Sequence, residues 1–280
     1  MSGSCTVAIV NWNSGSRLRT CIESLNDADI LVIDNASNDD SLDSLAASGR
    51  KVNFVRNAVN RGFAAAVNQA FHATSSAYVL VLNPDVRSTS RAVHLLKAIL
   101  DTNSRAAAVA GYAGDKYLPR TLPTVLTLTR ENLGLGKGTR GRPPTPPTPP
   151  FPVEQPAAAA LMIRRAAFDD VGGFDERFYP AWYEDVDFCR RLKAKGWEIY
   201  FAPEAEFQHE GGYSARTMGS ESFLRAYYSN QLRYAQKHFG VFGAAAVRAS
   251  IAAGMLVRMI GRPADAGAYG KAFIGALAKW

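Results

Sequence analysis

Three short stretches carry side chains that could do chemistry together. VLVLNPDV (79–86) runs apolar residues into Asn83, Pro84 and Asp85. WYEDVDF (182–188) sets Glu184 beside Asp185, with Asp187 two residues on. HEGGYS (209–214) opens on His209. A carboxylate at a strand end can anchor a cation or accept hydrogen bonds. One of a pair of carboxylates can serve as a general base, provided it is ionised at the working pH. A histidine can ligate a transition metal or meet a phosphate. Each residue also has a structural use. Asn and Asp end strands because they favour turns, and acidic residues favour the first turn of a helix.

The elements that must position these groups follow from hydrophobic periodicity. TVAIVNW (6–12), ILVIDNAS (30–37), KVNFVRN (51–57), AYVLVLNPD (77–85) and AAAVAGY (106–112) read as strands. SRLRTCIESL (16–25), GFAAAVNQAFHAT (62–74) and RAVHLLKAIL (91–100) read as helices between them. Strands alternating with helices predict an α/β fold with a mostly parallel sheet flanked by helices. Ligands of such sheets bind beyond the carboxyl ends of the strands. Asn11, Asp34 with Asn35, Asn57, and Asn83 with Asp85 stand at those ends. AAAALMIRRAAF (157–168) reads as a strand entering a helix. In DVDFCRRLKA, Val186, Cys189 and Leu192 share one helix face, which places Asp185 near a helix start, where the dipole favours its ionised form. From residue 219 onward the pattern is helical. GKGTRGRPPTPPTPPFP (136–152) excludes a helix or a central strand; it reads as a surface insertion, or as a flap carrying Lys137, Arg140 and Arg142 toward phosphates.

The totals remove some classes. The 280 residues are 47% hydrophobic and 20% charged, an ordinary globular composition. The net charge of +7 suits an anionic ligand or surface, but no nucleic-acid-reading motif accompanies it, so nucleic acid is not expected as a partner. Cys5, Cys21 and Cys189 are odd in number and far apart, which suggests neither a disulfide framework nor a zinc ribbon. The start MSGSCTVAIVNW lacks the pattern of a signal peptide, and no run of about 20 apolar residues stands out as a membrane span. The first turn, NWNSGSR, is neither a dinucleotide fingerprint nor a P-loop.

The ordered set VAIVNWN, VIDNASNDDS, RNAVNRGFAAAVNQA, VLVLNPDV, VGGFDERFYPAWYEDVDFCRR and HEGGYS resembles the inverting glycosyltransferases of family 2. These have the GT-A fold, and the likeness is strongest to their bacterial rhamnosyltransferase-like branch. It covers roughly residues 5–216. It implies a GT-A catalytic domain over 1–216, with a nucleotide-sugar half at about 1–112 and an acceptor half at about 157–216, followed by a helical extension over 217–280. It also implies a nucleotide-diphosphate sugar donor and a divalent cation, Mg2+ or Mn2+. The family's DxD motif corresponds to Asn83-Pro84-Asp85, with Asn in place of the first carboxylate. Asp85 is then the main carboxylate for the metal, and Pro84 stops the strand so that Asp85 faces the cleft. By the same resemblance Asp34 hydrogen-bonds the nucleotide, Asn11 walls the base pocket, and Asn60, Arg61 and Gly62 lie along the diphosphate and base. Asp185 matches the base that deprotonates the acceptor hydroxyl. Glu184 holds that hydroxyl or orients Asp185. His209 contacts metal or diphosphate. Trp182 and Tyr183 are acceptor-site candidates.

The implied reaction moves a sugar, L-rhamnose from dTDP-rhamnose, to a hydroxyl of a cell-surface glycan or lipid-linked acceptor. A UDP-hexose or UDP-N-acetylhexosamine donor, and a non-catalytic nucleotide-sugar-binding module, are the alternatives. The tail carries Arg248, Arg258 and Arg262 among Val247, Ile251, Leu256 and Met259. A basic amphipathic helix of this kind can lie on an anionic membrane; it can equally pack on the catalytic domain or in a homodimer. The family setting places the chain in the cytoplasm, on the inner face of the cytoplasmic membrane in the first case.

Overall fold

A computed structural model describes residues 3–25, 28–46, 49–136, 149–211 and 218–278. Its frame is one eight-stranded sheet. Strands β1 (Cys5–Asn11), β2 (Asp29–Asp34), β3 (Asn53–Arg56) and β4 (Tyr78–Leu82) lie in the order β3-β2-β1-β4, all parallel. The short pair β5 (Val86–Arg87) and β10 (Gln208–His209) forms a separate antiparallel ribbon. The sheet continues through β6 (Ala106–Tyr112), β7 (Phe151–Val153), β8 (Ala160–Arg164) and β9 (Glu198–Glu206) in the order β8-β6-β9-β7. β8 runs antiparallel to both β4 and β6 and is wedged between them. The sequence did not foresee that insertion, since β8 is drawn from beyond the proline-rich stretch. Phe151–Val153 pairs at the sheet edge, the one place where Pro152 leaves no central ladder bond missing. Lys137, Arg140 and Arg142 lie outside the described residues.

The strands form where apolar residues run unbroken, as in a sheet buried on both faces. Val79, Leu80, Val81 and Leu82 are all fully buried. Helices α1 (Arg17–Glu23), α2 (Ser41–Ala46), α3 (Phe63–Ala73) and α4 (Ser90–Thr102) connect the first strands. In α4 the buried Ala92, Leu96 and Leu100 repeat every fourth residue, and Thr89 caps the start by accepting from Ala92 N–H at 3.2 Å. In α3 small residues (Ala64, Ala65, Ala66 and Ala70) let the helix sit close to the sheet. Helices α5 (Val125–Asn132), α6 (Arg165–Asp170) and α7 (Glu184–Ala194) follow.

The C-terminal residues form α8 (Ser220–Gly261), kinked at Gly240, whose φ is 67°, and α9 (Ala266–Leu277). Val247, Ile251 and Met255 of α8 are fully buried in a third core with Leu128 of α5 and Ala272 and Ala276 of α9. Val247, Ile251, Met255 and Leu128 each contribute about 1.5–3 kcal/mol by burial. This corrects the expectation that Ile251 faces a lipid surface. Arg248 donates to the Ala276 carbonyl at 2.6 Å and Arg258 to the Asn132 carbonyl at 2.7 Å, so both guanidiniums satisfy the ends of neighbouring helices. By length and composition α8 is nonetheless apolar enough to cross a membrane, with 33% of its most apolar window buried. In the sequence Arg248 and Arg258 interrupt this stretch, so no unbroken apolar run marks it.

Candidate active site

A cleft of about 550 Å3 opens at the carboxyl ends of β1, β2 and β4. One wall carries Trp12, Asn35, Asn60 and the segment Asn83–Asp85. The opposite wall carries Trp182–Val186 with Arg120, and His209 lies at the same opening. The three stretches singled out in the sequence therefore meet in one space.

Asp85 and His209 come together through the β5–β10 ribbon. His209 sits opposite Val86 in the ladder, and the Glu210 N–H donates to the Asp85 carbonyl at 3.2 Å. His209 Nε2 is 3.0 Å from Asp85 Oδ1, and its ring lies on Tyr117 with centroids 4.2 Å apart. Burial acts to raise the Asp85 pKa, but the His209 hydrogen bond and charge, with nearby backbone N–H groups, outweigh it and hold the carboxyl below its usual range. His209 Nδ1 is buried with no partner among the described residues. No group of three or more His, Cys, Asp or Glu gathers among them to hold a metal alone. Two ligands at adjacent corners of an octahedral cation, each about 2.1 Å from it, stand roughly 3 Å apart. Asp85 and His209 stand 3.0 Å apart and are donor types that a divalent cation would accept.

Glu184 and Asp185 open α7. The residues before them, Trp182 and Tyr183, have φ of 74° and 72°, the left-handed region that side chains rarely adopt. Two such residues in succession cost on the order of 1–3 kcal/mol each, a strain typical of functional turns. Glu184 is 6% exposed, and its Oε2 has no hydrogen-bond partner among the described residues. Burial, then the adjacent Asp185, push its carboxyl well above the usual range. Asp185 is half-buried on the cleft wall, and its Oδ1 accepts from Val186 N–H at 2.8 Å. Asp185 does fall at a helix start, but burial outweighs Val186 N–H and the Arg120 charge and raises its pKa. Desolvation thus outweighs the pull of the helix start on this carboxyl. Asp187 turns away from the cleft, fully buried, to Arg191 at 2.7 Å and to Lys237 and His238 of α8.

The other expected donor residues sit differently. Asn11 and Asp34 are fully buried, face each other across the β1–β2 register, and share a 2.8 Å hydrogen bond from Asn11 Nδ2 to Asp34 Oδ1. Neither lines the cleft; the next residue, Asn35, does. Asn60 accepts from Gly62 N–H at 2.8 Å, and Arg61 stands 3.7 Å from Glu176. A Cβ at Gly62 would stand 3.0 Å from the Pro180 carbonyl oxygen, and φ is 84° there, so this glycine lets the loop at 60–62 meet the turn that precedes Asp185. Trp182 borders the cleft edge-on to Phe223, 4.9 Å away. Tyr183 is buried in aromatic packing, and its hydroxyl accepts from Gln231 at 2.8 Å.

Sequence reasoning missed Trp12, Arg120, Phe223 and Tyr227 as cleft residues. Arg120 and α5 lie in 113–135, where Thr, Pro and Leu alternate without a clear period. The signal there was the capping box, Thr124 accepting from Thr127 N–H at 3.2 Å and Thr127 Oγ1 from Thr124 N–H at 2.8 Å.

Comparison with known proteins gives this cleft a context. Residues 6–172 match the model of Glycosyl transferase family 2, and residues 153–262 that of Glycosyl transferase family group 2. An N-acetylglucosaminyl-diphospho-decaprenol L-rhamnosyltransferase of Mycobacterium tuberculosis is 26% identical over 262 residues, covering 84% of this chain and 85% of that one. A pre-mycofactocin glycosyltransferase of the same organism is 27% identical over 216 residues, 73% of this chain and 42% of that one. Among solved structures, the mannosyltransferase PcManGT from Pyrobaculum calidifontis with GDP-Man and Mn2+ has a TM-score of 0.61 at 12% identity, covering 99% of this chain and 88% of that one. GalNAc-T7 with UDP, GalNAc and Mn2+ has a TM-score of 0.59 at 16% identity, covering 84% of this chain and 50% of that one. Both structural likenesses are of GT-A fold. With the family match running through β1, β2, β4 and the NPD turn, this chain is a glycosyltransferase and belongs to glycosyl transferase family 2.

Proposed function

We propose that the enzyme is an inverting, metal-assisted glycosyltransferase that moves L-rhamnose from dTDP-rhamnose to a hydroxyl of a lipid-linked or cell-surface glycan, with Asp185 as general base. The observation that carries the reaction is the meeting of Asp85 and His209 with Glu184 and Asp185 in one cleft. The choice of rhamnose and of a lipid-linked acceptor is supported by the relative that aligns over 84% of the chain. On this reading residues 1–216 form the catalytic domain and 217–280 an extension to it.

The donor diphosphate lies beside Asp85 and Asn83, with Asn60, Arg61 and Trp12 along the nucleotide. A divalent cation held by Asp85 and His209 would offset the charge that develops on the departing diphosphate. The acceptor approaches from the Trp182 side, where Glu184 steadies its hydroxyl. Asp185 takes the hydroxyl proton as the oxygen bonds to the anomeric carbon. The bond from that carbon to the diphosphate breaks on the opposite face, and its electron pair leaves with the nucleoside diphosphate. A base of raised pKa is stronger once ionised, which suits this step.

The experiment is transfer with dTDP-rhamnose, UDP-glucose and UDP-N-acetylglucosamine, each with Mn2+ and with chelator. Turnover with dTDP-rhamnose that chelator abolishes is expected. Asp185→Asn should lower turnover by roughly 10²–10⁴-fold with little change in donor affinity. Near-normal turnover of that variant sinks the base assignment. Indifference to chelator sinks the metal, and activity with a UDP sugar alone moves the donor to the class seen with GalNAc-T7.

A further inference from the structure

We propose that residues 230–238 of α8 are the positioning element of the turn that carries Asp185, and that Asn230 sets the geometry of that turn. The inference rests on the reading of Asp185 as the base. The turn cannot hold itself. Trp182 and Tyr183 are both left-handed, and no side chain caps the start of α7. Phe63 N–H steadies the Pro180 carbonyl at 2.7 Å, and the side-chain restraints on either side of Asp185 come from α8.

Asn230 is fully buried, and its Nδ2 donates to the Ala181 carbonyl at 2.8 Å and to the Tyr179 carbonyl at 3.2 Å. Those carbonyls lie just before the two left-handed residues. Gln231 Nε2 donates to the Tyr183 hydroxyl at 2.8 Å. Arg190 of α7 meets the Tyr234 hydroxyl. On the next turn of α8, Lys237 Nζ and His238 Nε2 stand 2.7 Å and 2.8 Å from Asp187 Oδ1, while Arg191 holds the other oxygen at 2.7 Å. Positions 230, 234, 237 and 238 fall on one helix face, so a single face of α8 grips the chain on both sides of Asp185.

The character of these contacts separates the idea from plain packing. Apolar packing tolerates sliding, whereas buried polar groups with assigned partners fix one register. Asp187 and Asn230 are both fully buried and both committed. A base displaced by about 1 Å loses on the order of 10²-fold in rate. Asn83 and Asp85, carried at the end of β4, take no support from this face, and the loop at 60–62 meets the gripped segment only at Tyr179 and Pro180.

The test uses the full chain and four variants: Asn230→Ala, His238→Ala, His238→Gln and Asp185→Asn. Gln at 238 can place an amide nitrogen near the position of Nε2. Three quantities are read: hydrogen exchange over 179–187 and over 78–87, kcat with dTDP-rhamnose, and Kd for dTDP with Mn2+. Asn230→Ala should speed exchange over 179–187 by about tenfold or more and lower kcat about 10–100-fold. Exchange over 78–87 and the dTDP Kd should stay within about twofold of wild type. His238→Ala should move the same quantities less, and His238→Gln should recover most of the loss. Unchanged exchange over 179–187 in both Asn230→Ala and His238→Ala overturns the proposal. So does faster exchange with kcat within twofold of wild type. Should Asn230→Ala fail to fold, the two His238 variants decide by the same criteria. Near-normal turnover of Asp185→Asn counts against the base, not the grip, which exchange then judges alone.

Discussion

Single residues in the cleft hold carboxylates pushed in opposite directions. Asp85 is drawn below its usual range despite burial, because His209 and backbone N–H groups meet its charge. Glu184 is driven up by burial first and by the Asp185 charge second, and among the described residues nothing pairs with its Oε2. A carboxyl raised in the folded state keeps its proton to higher pH than the unfolded chain does. Its mismatch is absent below the ordinary value of 4.5 and grows into a cost as pH climbs toward the folded value. Glu184→Gln removes the titration while keeping shape. The variant should therefore melt above wild type at pH 7–8, by roughly 2–4 °C for each kcal/mol relieved, and the gap should close near pH 4. Melting curves at both pH values check this. A gain of equal size at pH 4 would show that the amide acts through packing and that the folded carboxyl titrates as it does in the unfolded chain.

Elements decide which of these residues meet. Helix α5 forms part of the cleft wall through Thr127 and Leu128, and it approaches α8 at Gly254. A Cβ on Gly254 would stand 2.0 Å from the Asn132 carbonyl oxygen and 2.7 Å from Arg258 Nη1. Gly254→Ala must push α5 away, an overpacking cost of about 1–3 kcal/mol. Its melting temperature should fall and its acceptor KM rise, with dTDP affinity unchanged; a variant as stable as wild type would contradict the contact. The sequence made much of this layer legible. Unbroken apolar runs located β1, β2 and β4, and helical periodicity located α4. Other features were illegible for physical reasons. The Asn11–Asp34 pair turns inward because the β1–β2 register sets the two opposite each other, which neither strand states alone. The antiparallel seat of β8 depends on a long connection with no period. The role of α8 in holding the Asp185 turn depends on contacts between residues some fifty positions apart.

At the scale of the molecule the outer faces of α8 and α9 bear on where the enzyme works. Val241, Phe242, Val257, Ile260, Ile274 and Leu277 are 62–92% exposed. Of the three arginines expected to drive membrane attraction, Arg248 and Arg258 are spent on helix-end carbonyls, and Arg262 remains exposed. We therefore expect membrane attachment to be carried by apolar insertion more than by charge. An interfacial basic residue contributes about 1 kcal/mol and fades with salt, whereas a buried Phe or Ile contributes about 1.5–3 kcal/mol and does not. Truncation at Gly240 is a poor probe, since it would remove Val247, Ile251 and Met255 from the third core. Phe242→Asp and Ile260→Asp leave that core intact, as both side chains point to solvent. In liposome flotation the full chain should bind anionic vesicles, lose little binding at high salt, and lose most of it in the double variant. Steep loss with salt would restore the electrostatic account. If the full chain does not float, and sedimentation shows a dimer that the double variant dissolves, the same apolar side chains serve a second copy of the enzyme in place of a bilayer.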